Sequence, residues 1–510
     1  MNGVYSVAQV RRAEGDLMAT LPEGALMERA AEGLADVCAS VLDEAGSGVR
    51  KARVAVLVGS GNNGGDALYA GAHLAHRGAR VHAILLADRA HEGGQQALID
   101  AGGHVIAASD TLTASDVLVD AEMVLDGIVG IGGSGPLRPL ATELVTAAVD
   151  GGALIVAVDI PSGVDADTGA VADPQAVVDA DVTVTFGCLK PGLLLTPGRE
   201  HCGALMLVDI GLGETLSAPL VHVLDDDDIA DVVPEPAGDD YKYSRGVAGV
   251  AAGSRRYRGA ALMATAGARL GGVGMVHFLD RSDGVAATVI DHFWDVVTST
   301  DTPAATSRVT AWSVGPGLGE GPADTATVES VLAAGTPVVV DAAGIRALTH
   351  PTTRAALERR YSAGLTTVLT PHEGEFAALG YDCGSGSAQD RLGSALRAAR
   401  ELHAVIVLKG PGTIVASPSG AAYIDTRGGP ELGTAGSGDV LTGLIGSLLA
   451  AHAAHGVLHD DDAALVAAAG VAIHGSAGVI AGRGGRPVTA MDVIDALPDA
   501  IASFRRGTTT

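Results

Sequence analysis

Apolar residues in this chain come in short runs that stop at glycine, aspartate or asparagine. In the first 210 residues these are VAVLVGSGNNGGD, RVHAILLAD, MVLDGIVGIG, LIVAVDIPSG, VTVTFGCLKPG and ALMLVDIG. Such runs read as strands, and Ala- and Leu-rich stretches between them, such as ALYAGAHLAHRG, read as helices. The alternation predicts a parallel sheet covered by helices on both faces. From Leu212 to Gly246 the rhythm breaks: prolines and an acidic run appear and no strand pattern is visible, which predicts a domain boundary. It resumes with VAGVAAGS, VGMVHFLD, AWSVGPGLG, TPVVVDAAGI, TTVLTPHEGE and HAVIVLKGPGT, giving a second α/β domain with no sequence repeat of the first. The DDDD at 225–228 reads as a solvated helix start, because Asp caps helices and successive carboxylates diverge. MNGVYSVAQVRRAEGDLMA has no apolar core of a signal peptide and reads as an amphipathic helix. The stretch Leu441 to Leu458, interrupted by Ser447, His452 and His455, reads as a buried helix and not a membrane span.

The length of 510 residues also calls for more than one core. Aromatics make up only 3% against 47% apolar residues, so the cores must be built from Ala, Val, Leu and Ile. A net charge of −27 opposes binding to nucleic acid or an anionic membrane, so an anionic ligand has to be held locally. Cys38, Cys188, Cys202 and Cys383 show no CxxC spacing, which indicates neither a zinc site nor a disulfide framework and fits a reducing cytoplasm.

GTAGSGDVLTGLIG, from Gly433 to Gly446, combines a glycine-rich turn with a helix N-terminus and should hold an anion. It lacks the lysine of a Walker loop. Asp439 in the first helical turn could be only a cap, and in isolation that role would win. Three further strand ends change the balance: VGPGLG, LTPHEGE with His372, and LKGPGT with a lysine beside glycines. In an open α/β sheet these loops can face one crevice, which suggests phosphoryl transfer to a hydroxyl with Asp439 taking its proton. His372 could equally be a hydrogen-bonded loop histidine, and Gly317 could serve only a turn.

Over residues 221–506, the segments YSRGVAGVAAGS, YRGAALMA, GPGLG, VVVDAAGI, LTPHEGEF, LKGPGT and GTAGSGDVLTG resemble the ribokinase-like ADP- or ATP-dependent NAD(P)H-hydrate dehydratases. The resemblance implies Asp439 as the base, and Ala260, Gly317 and His372 lining the hydrate pocket. It implies nucleotide binding, with Mg²⁺ and ADP or ATP, by Lys409, Gly410, Pro411, Gly412, Thr413, Gly436 and Gly438. YSRG at Tyr243 to Gly246 departs from the His-Lys pair frequent in that family.

In the first half, SGNNGGDAL follows a strand and precedes a helix, an anion site by geometry, but lacks GxGxxG, so ordinary dinucleotide binding is not the first choice. Asp159 in VDIPSG and Lys190 in FGCLKPG sit at strand ends, where they could form an acid/base couple or merely a structural ion pair. Asn63, Asp126 and Ser162 offer hard oxygen ligands. Together NNGGD, DGIVGIG, VDIPSG and FGCLKPG resemble the NAD(P)H-hydrate epimerase family over residues 1–213. That resemblance implies a Rossmann-like three-layer sandwich, K⁺ on Asn63, Asp126 and Ser162, and Asp159 and Lys190 as catalytic residues. The hydrate would be contacted by Asn62, Asn63, Gly64, Gly65 and Asp66 and by Gly130, Ile131, Gly132, Gly133, Ser134, Gly135 and Pro136. Ala67 stands where a glycine is common, and GIGGSGPLRP carries an unusual glycine pair.

The two resemblances converge on one pathway. They imply a two-domain α/β enzyme that interconverts the R and S hydrates of NADH and NADPH and dehydrates the S form, acting on small molecules and allowing a homo-oligomer. Two other readings stay open on the motifs alone: a small-molecule kinase such as a hydroxymethylpyrimidine or hydroxyethylthiazole kinase, and a non-catalytic N-terminal binding module.

Overall fold

The computed structural model describes residues 1–133, 135–306, 308–384 and 390–506. The chain divides into two compact units, one built on residues 3–220 and the other on 221–383 and 391–506 with Met1 and Asn2.

After the short strand β1 (Asn2–Val4), the N-terminal unit runs α1 (Val7–Met18), α2 (Ala25–Glu44), β2 (Arg53–Val58), α3 (Asn62–His76), β3 (Arg80–Leu85), α4 (Glu92–Asp100), β4 (His104–Ala107), α5 (Thr111–Val119), β5 (Met123–Gly127), α6 (Pro139–Asp150), β6 (Leu154–Val158), β7 (Val182–Phe186) and β8 (Ala204–Val208). Seven parallel strands form a sheet in the order β4-β3-β2-β5-β6-β7-β8. Leu34 of α2 and Leu68 and Leu74 of α3 pack on one face, while Ala114 and Leu118 of α5 and Leu144 of α6 pack on the other. The central strands are apolar throughout because both faces are covered. The amphipathic helix at the start is α1, which buries Val10 and Ala13.

The C-terminal unit runs β9 (Val221–Val223), α7 (Asp226–Val232), β10 (Val247–Ala251), α8 (Arg258–Leu270), β11 (Met275–Leu279), α9 (Val285–His292), β12 (Val297–Ser299), β13 (Ala311–Val314), α10 (Pro322–Leu332), β14 (Val338–Val340), α11 (Ala343–Ala347), α12 (Pro351–Ser362), β15 (Thr367–Leu369), α13 (Glu373–Ala378), α14 (Arg391–Leu402), β16 (Val405–Leu408), β17 (Thr413–Ala416), β18 (Ala422–Asp425), α15 (Ser437–Ala453), α16 (Asp460–Ala481) and α17 (Ala490–Arg506). Its strands lie in the order β9-β18-β17-β16-β15-β14-β13-β10-β11-β12. All pair in parallel except β16 with β17 and β17 with β18. The order reverses between β10 and β13, which opens a crevice at the strands' C-terminal ends.

The segment expected to lack a strand contains β9, whose His222 pairs with Tyr423 of β18; three residues are too few to show a period. The acidic run does start a helix: Asp225 caps α7, and its carboxylate and that of Asp228 each accept the other's backbone N–H. The apolar C-terminal stretch forms most of α15, followed by the longer α16, and most residues of both are buried inside the unit. α8 and α15 meet almost backbone to backbone. A Cβ on Gly443 would stand 1.9 Å from the Ala264 carbonyl, and one on Gly267 would stand 2.2 Å from that of Val440.

Candidate active sites

In the C-terminal unit, β13, β14, β15 and β16 run side by side in parallel, so the segments that follow them emerge at one edge. Lys409 follows β16, and its Nζ donates to Asp341 Oδ1 at 2.7 Å, directly after β14, with Glu375 Oε2 at 4.0 Å. Asp341 is 1% exposed, and its other oxygen accepts from Thr442 Oγ1 on α15 at 2.7 Å. The next residue, Ala342, sits at φ 50, ψ −121, a strained conformation of the kind that persists only where neighbours enforce it. Asp341 thus ties the lysine to the helix that carries Asp439.

Asp439 lies in the first turn of α15, but Gly436 occupies the cap position with φ 92 and no side-chain cap is present. Among the described residues its carboxyl has no hydrogen bond or ion pair, and it is pushed up to about 7, first by burial and then by the charge of Asp341, with Lys409 pulling the other way and Glu375 adding to the rise. The capping role is therefore not the one the geometry shows. Lys409 is lowered by burial, but Asp341, Glu375 and Asp439 outweigh this and leave its pKa above the ordinary value. Gly438 lies beside the lysine, since a Cβ there would stand 3.4 Å from Nζ. A carboxylate poised near neutrality next to a fixed cation is the arrangement a general base for phosphoryl transfer needs.

The loop Lys409 to Thr413 is the turn of the β16–β17 hairpin, with Gly410 at φ 145 and Gly412 at φ 65. The buried Arg391 of α14 holds it, donating to Pro411 O at 2.7 Å, Gly412 O at 3.2 Å and Lys409 O at 3.3 Å. His474 of α16, with its pKa lowered to about 4 by burial, meets the Ser437 hydroxyl at 3.1 Å and carbonyl at 3.0 Å. Neither residue has a sequence signal, because each acts from a helix far along the chain. Asp341 has one: it is a strand-end aspartate in VVVDAAGI.

His372 is the N-cap of α13. Its Nδ1 accepts from Gly374 N at 3.0 Å and Glu375 N at 3.3 Å, and its own N–H donates to Glu375 Oε2 at 3.1 Å. Its ring is largely exposed, with Nε2 3.5 Å from Glu375 Oε1. Ala260 and Gly317 are neighbours: Gly317 has φ 63, and a Cβ there would stand 2.4 Å from that of Ala260. One turn along α8, Met263 fills the space against Gly436. Arg245, by contrast, precedes β10 at the opposite sheet edge and donates to Gly272 O at 2.8 Å, a structural bond.

In the N-terminal unit Lys190 and Asp159 meet at 2.7 Å, with Lys190 1% exposed. Lys190 Nζ also donates to Thr185 Oγ1 and to Phe186 O, each at 2.9 Å. Asp159 follows β6 in the left-handed region at φ 67, strained for a non-glycine residue. Asp66, at the start of α3, has its carboxyl raised well above the usual range by burial, then by Asp159 and Glu14. Ahead of it Asn63, Gly64 and Gly65 are buried and Asn62 is exposed.

Asp126 and Ser162 also meet: Ser162 donates from its hydroxyl at 2.7 Å and its backbone at 2.8 Å. Burial pushes Asp126 up to about 6 against those hydrogen bonds. Asn63 is close, its Oδ1 lying 2.7 Å from where a Cβ on Gly130 would stand, and its Nδ2 is buried without a partner. The loop from Gly130 to Pro136 turns through Gly133 N–H to Gly130 O at 2.9 Å, while Ser134 lies outside the described residues. Its far side lines a cavity of about 450 Å³ with Gly59, Leu86 and Leu137, and Asp159 and Lys190 are not among the lining residues. Ala67 is accommodated because it faces Gly127, where a Cβ would stand 2.5 Å away.

Two open α/β units, each with a lysine and carboxylates gathered where strands end, define a two-domain enzyme. Residues 248–499 match the family described as NAD(P)H-hydrate dehydratase, and residues 23–192 match that described as YjeF-related protein N-terminus. The bifunctional NAD(P)H-hydrate repair enzyme Nnr of Mycobacterium tuberculosis is 43% identical over 453 residues, covering 88% of this chain and 89% of that one. Its counterpart in Corynebacterium glutamicum is 32% identical over 583 residues, covering 98% and 99%. Among solved structures, the ADP/ATP-dependent NAD(P)H-hydrate dehydratase of Bacillus subtilis co-crystallised with ATP/Mg²⁺ is 26% identical with a TM-score of 0.46, covering 56% of this chain and 99% of that one. The chain belongs to the bifunctional NAD(P)H-hydrate repair enzymes.

Proposed function

We propose that residues 221–506 dehydrate the S hydrate of NADH or NADPH with ADP or ATP, and that residues 1–213 interconvert the R and S hydrates. The observation that carries the first half is Asp439, a half-buried carboxyl with no hydrogen bond or ion pair among the described residues, poised near neutrality beside Lys409. Asp439 takes the proton of the hydrate's ring hydroxyl, whose oxygen attacks the terminal phosphorus of the nucleotide. Lys409 and the hairpin from Gly410 to Thr413, with Gly436 and Gly438, hold the phosphates, which arrive with Mg²⁺. AMP leaves from ADP, or ADP from ATP. Loss of phosphate from the ring carbon and of a proton from its neighbour then restores NAD(P)H. Ala260, Gly317 and His372 line the hydrate's place.

In the other half, Asp159 and Lys190 handle the proton traffic, and the segments Asn62 to Asp66 and Gly130 to Pro136 contact the hydrate. Asn63, Asp126 and Ser162 fit K⁺: they are hard oxygen donors, and burial of the Asp126 carboxyl leaves an anion that a cation would stabilise. When bound, the ion supplies the positive charge that Asp126 lacks. The buried thiols of Cys38, Cys188 and Cys202, none in a disulfide, accord with a reducing cytoplasm as the working compartment.

The test incubates mixed R and S NADH hydrate with Mg²⁺, K⁺ and either nucleotide and follows NADH absorbance, corrected for spontaneous epimerisation. Full conversion by the wild type and none by Asp439→Asn is expected. Recovery stopping at the S fraction would remove the epimerase half, and a stable phosphorylated product would instead mark a small-molecule kinase.

A further inference from the structure

Asp159 and Lys190 satisfy each other, yet inverting a carbon that bears both a hydroxyl and a ring nitrogen requires a second proton carrier. α1 brings one. The residues ahead of it are laid along the strand end that carries Lys190: Val4 bridges to Leu189, and Tyr5 N–H donates to Leu189 O at 2.9 Å. Ser6 and Gln9 form a capping box, Val7 N–H donates to Asp167 Oδ1 at 2.7 Å, and Gln9 Nε2 donates to Ala218 O at 2.7 Å. The first turn of the helix is therefore fixed in place. One turn on, Arg11 reaches the second glycine loop, with Nη2 3.1 Å from where a Cβ on Gly132 would stand. Glu14 lies three residues further on the same helical face, within electrostatic range of the pair. It interacts electrostatically with Asp159 and Lys190 at the strand ends, with Asp66 of α3, with Cys188, and with Arg11 of its own helix. Glu14 is half-buried, and among the described residues no hydrogen bond or ion pair holds its carboxyl. All of α1 precedes the stretch 23–192 that matches the family.

We propose that Glu14 is the second catalytic carboxyl of the epimerase site, giving its proton to the ring nitrogen of the hydrate while Asp159 takes the hydroxyl proton. This rests on the epimerase reading of the N-terminal unit. The hydroxyl oxygen keeps the O–H electron pair and forms C=O, the carbon–nitrogen bond breaks with its pair on nitrogen, and Glu14 protonates that nitrogen. The freed aldehyde rotates about its carbon–carbon bond. Closure on the other face returns one proton to Glu14 and the other from Asp159 to oxygen, so both carboxyls end as they began and no co-reactant is consumed. Burial, then the charge of Asp159, raises the Glu14 carboxyl above its ordinary range against the pull of Lys190 and Arg11, which keeps it protonated at higher pH.

Purified R hydrate is given to the full chain with K⁺ and no nucleotide, and R and S forms are resolved by chromatography across a pH series. Glu14→Gln is expected to slow epimerisation about 10²-fold or more and to abolish the limb on which the wild-type rate falls as pH rises. Glu14→Asp should restore part of the rate with that limb moved to lower pH; it decides the matter if Glu14→Gln melts early. An unchanged rate, or a loss equal at every pH with the limb retained, overturns the proposal and leaves the epimerase reading standing. Absence of epimerisation in the wild type removes both.

Discussion

The two units place a lysine differently. In the N-terminal one Lys190 is closed on Asp159 itself, 31 residues away, so the charges cancel between the ends of two neighbouring strands. In the C-terminal one Lys409 is held by Asp341, 68 residues away, and the proposed base Asp439 is kept apart from it and destabilised as an anion. A neutralised pair is a stable store of position, whereas an unpaired carboxyl is a store of basicity. Phosphoryl transfer needs a base that binds its proton readily, and the fold supplies it by giving the lysine to a third residue.

The largest expected effect separates the halves outright. Asp439→Asn should lower dehydration about 10³-fold and leave epimerisation untouched, and Lys190→Met should do the reverse, with dehydration read from NADH recovery and epimerisation from chromatography of the R and S hydrates. Next comes stability. Lys190→Ala leaves Asp159 buried and unpaired and should cost about 3–5 kcal/mol in urea unfolding of the N-terminal unit, while Lys190→Met combined with Asp159→Leu should recover most of it. Asp439→Asn should have the opposite sign. A carboxyl raised from 3.8 to about 7 in the folded state costs stability as pH climbs above 3.8, and the cost is complete above about 7. The variant should therefore melt a few degrees higher than wild type at pH near 8 and at the same temperature near pH 3, a gain of about 1–3 kcal/mol. The smallest effect is the sharpest. Dehydration should rise with pH through about 7, and Asp341→Asn should move that midpoint down by about one unit, because it removes a like charge facing Asp439. A midpoint that stays put would break the contrast between paired and unpaired carboxylates.

Strand ends are where this sequence speaks. Asp159, Lys190 and Lys409 stand out because a polar residue after a buried strand has few structural reasons to be there, and Asp439 because it follows a glycine-rich turn at a helix N-terminus. Asp341 stands in the same kind of place, but only the folded chain shows that it grips Lys409 and Thr442 together. Arg391, His474 and Glu14 are illegible for a different reason. Each is one polar residue on an amphipathic or apolar helix, and helical periodicity tells which face is buried, not what that face meets. The short strands β9, β12, β17 and β18 are fixed by their partners in the sheet and are too brief to show a period.

The glycine contacts between α8 and α15 set a machining tolerance for the reaction. Asp439 rides on one helix, and Ala260 rides on the other. The gap between them is set by Gly267 and Gly443, with carbonyls where any side chain would begin. Adding one methyl group at either position should wedge the carriers of the proposed base and the proposed substrate contact apart by roughly an ångström, enough to cost on the order of 10²-fold in rate. Two residues that touch no ligand thus hold the alignment of the site as a shim holds a bearing, and a library screened for activity should find both as intolerant as Asp439.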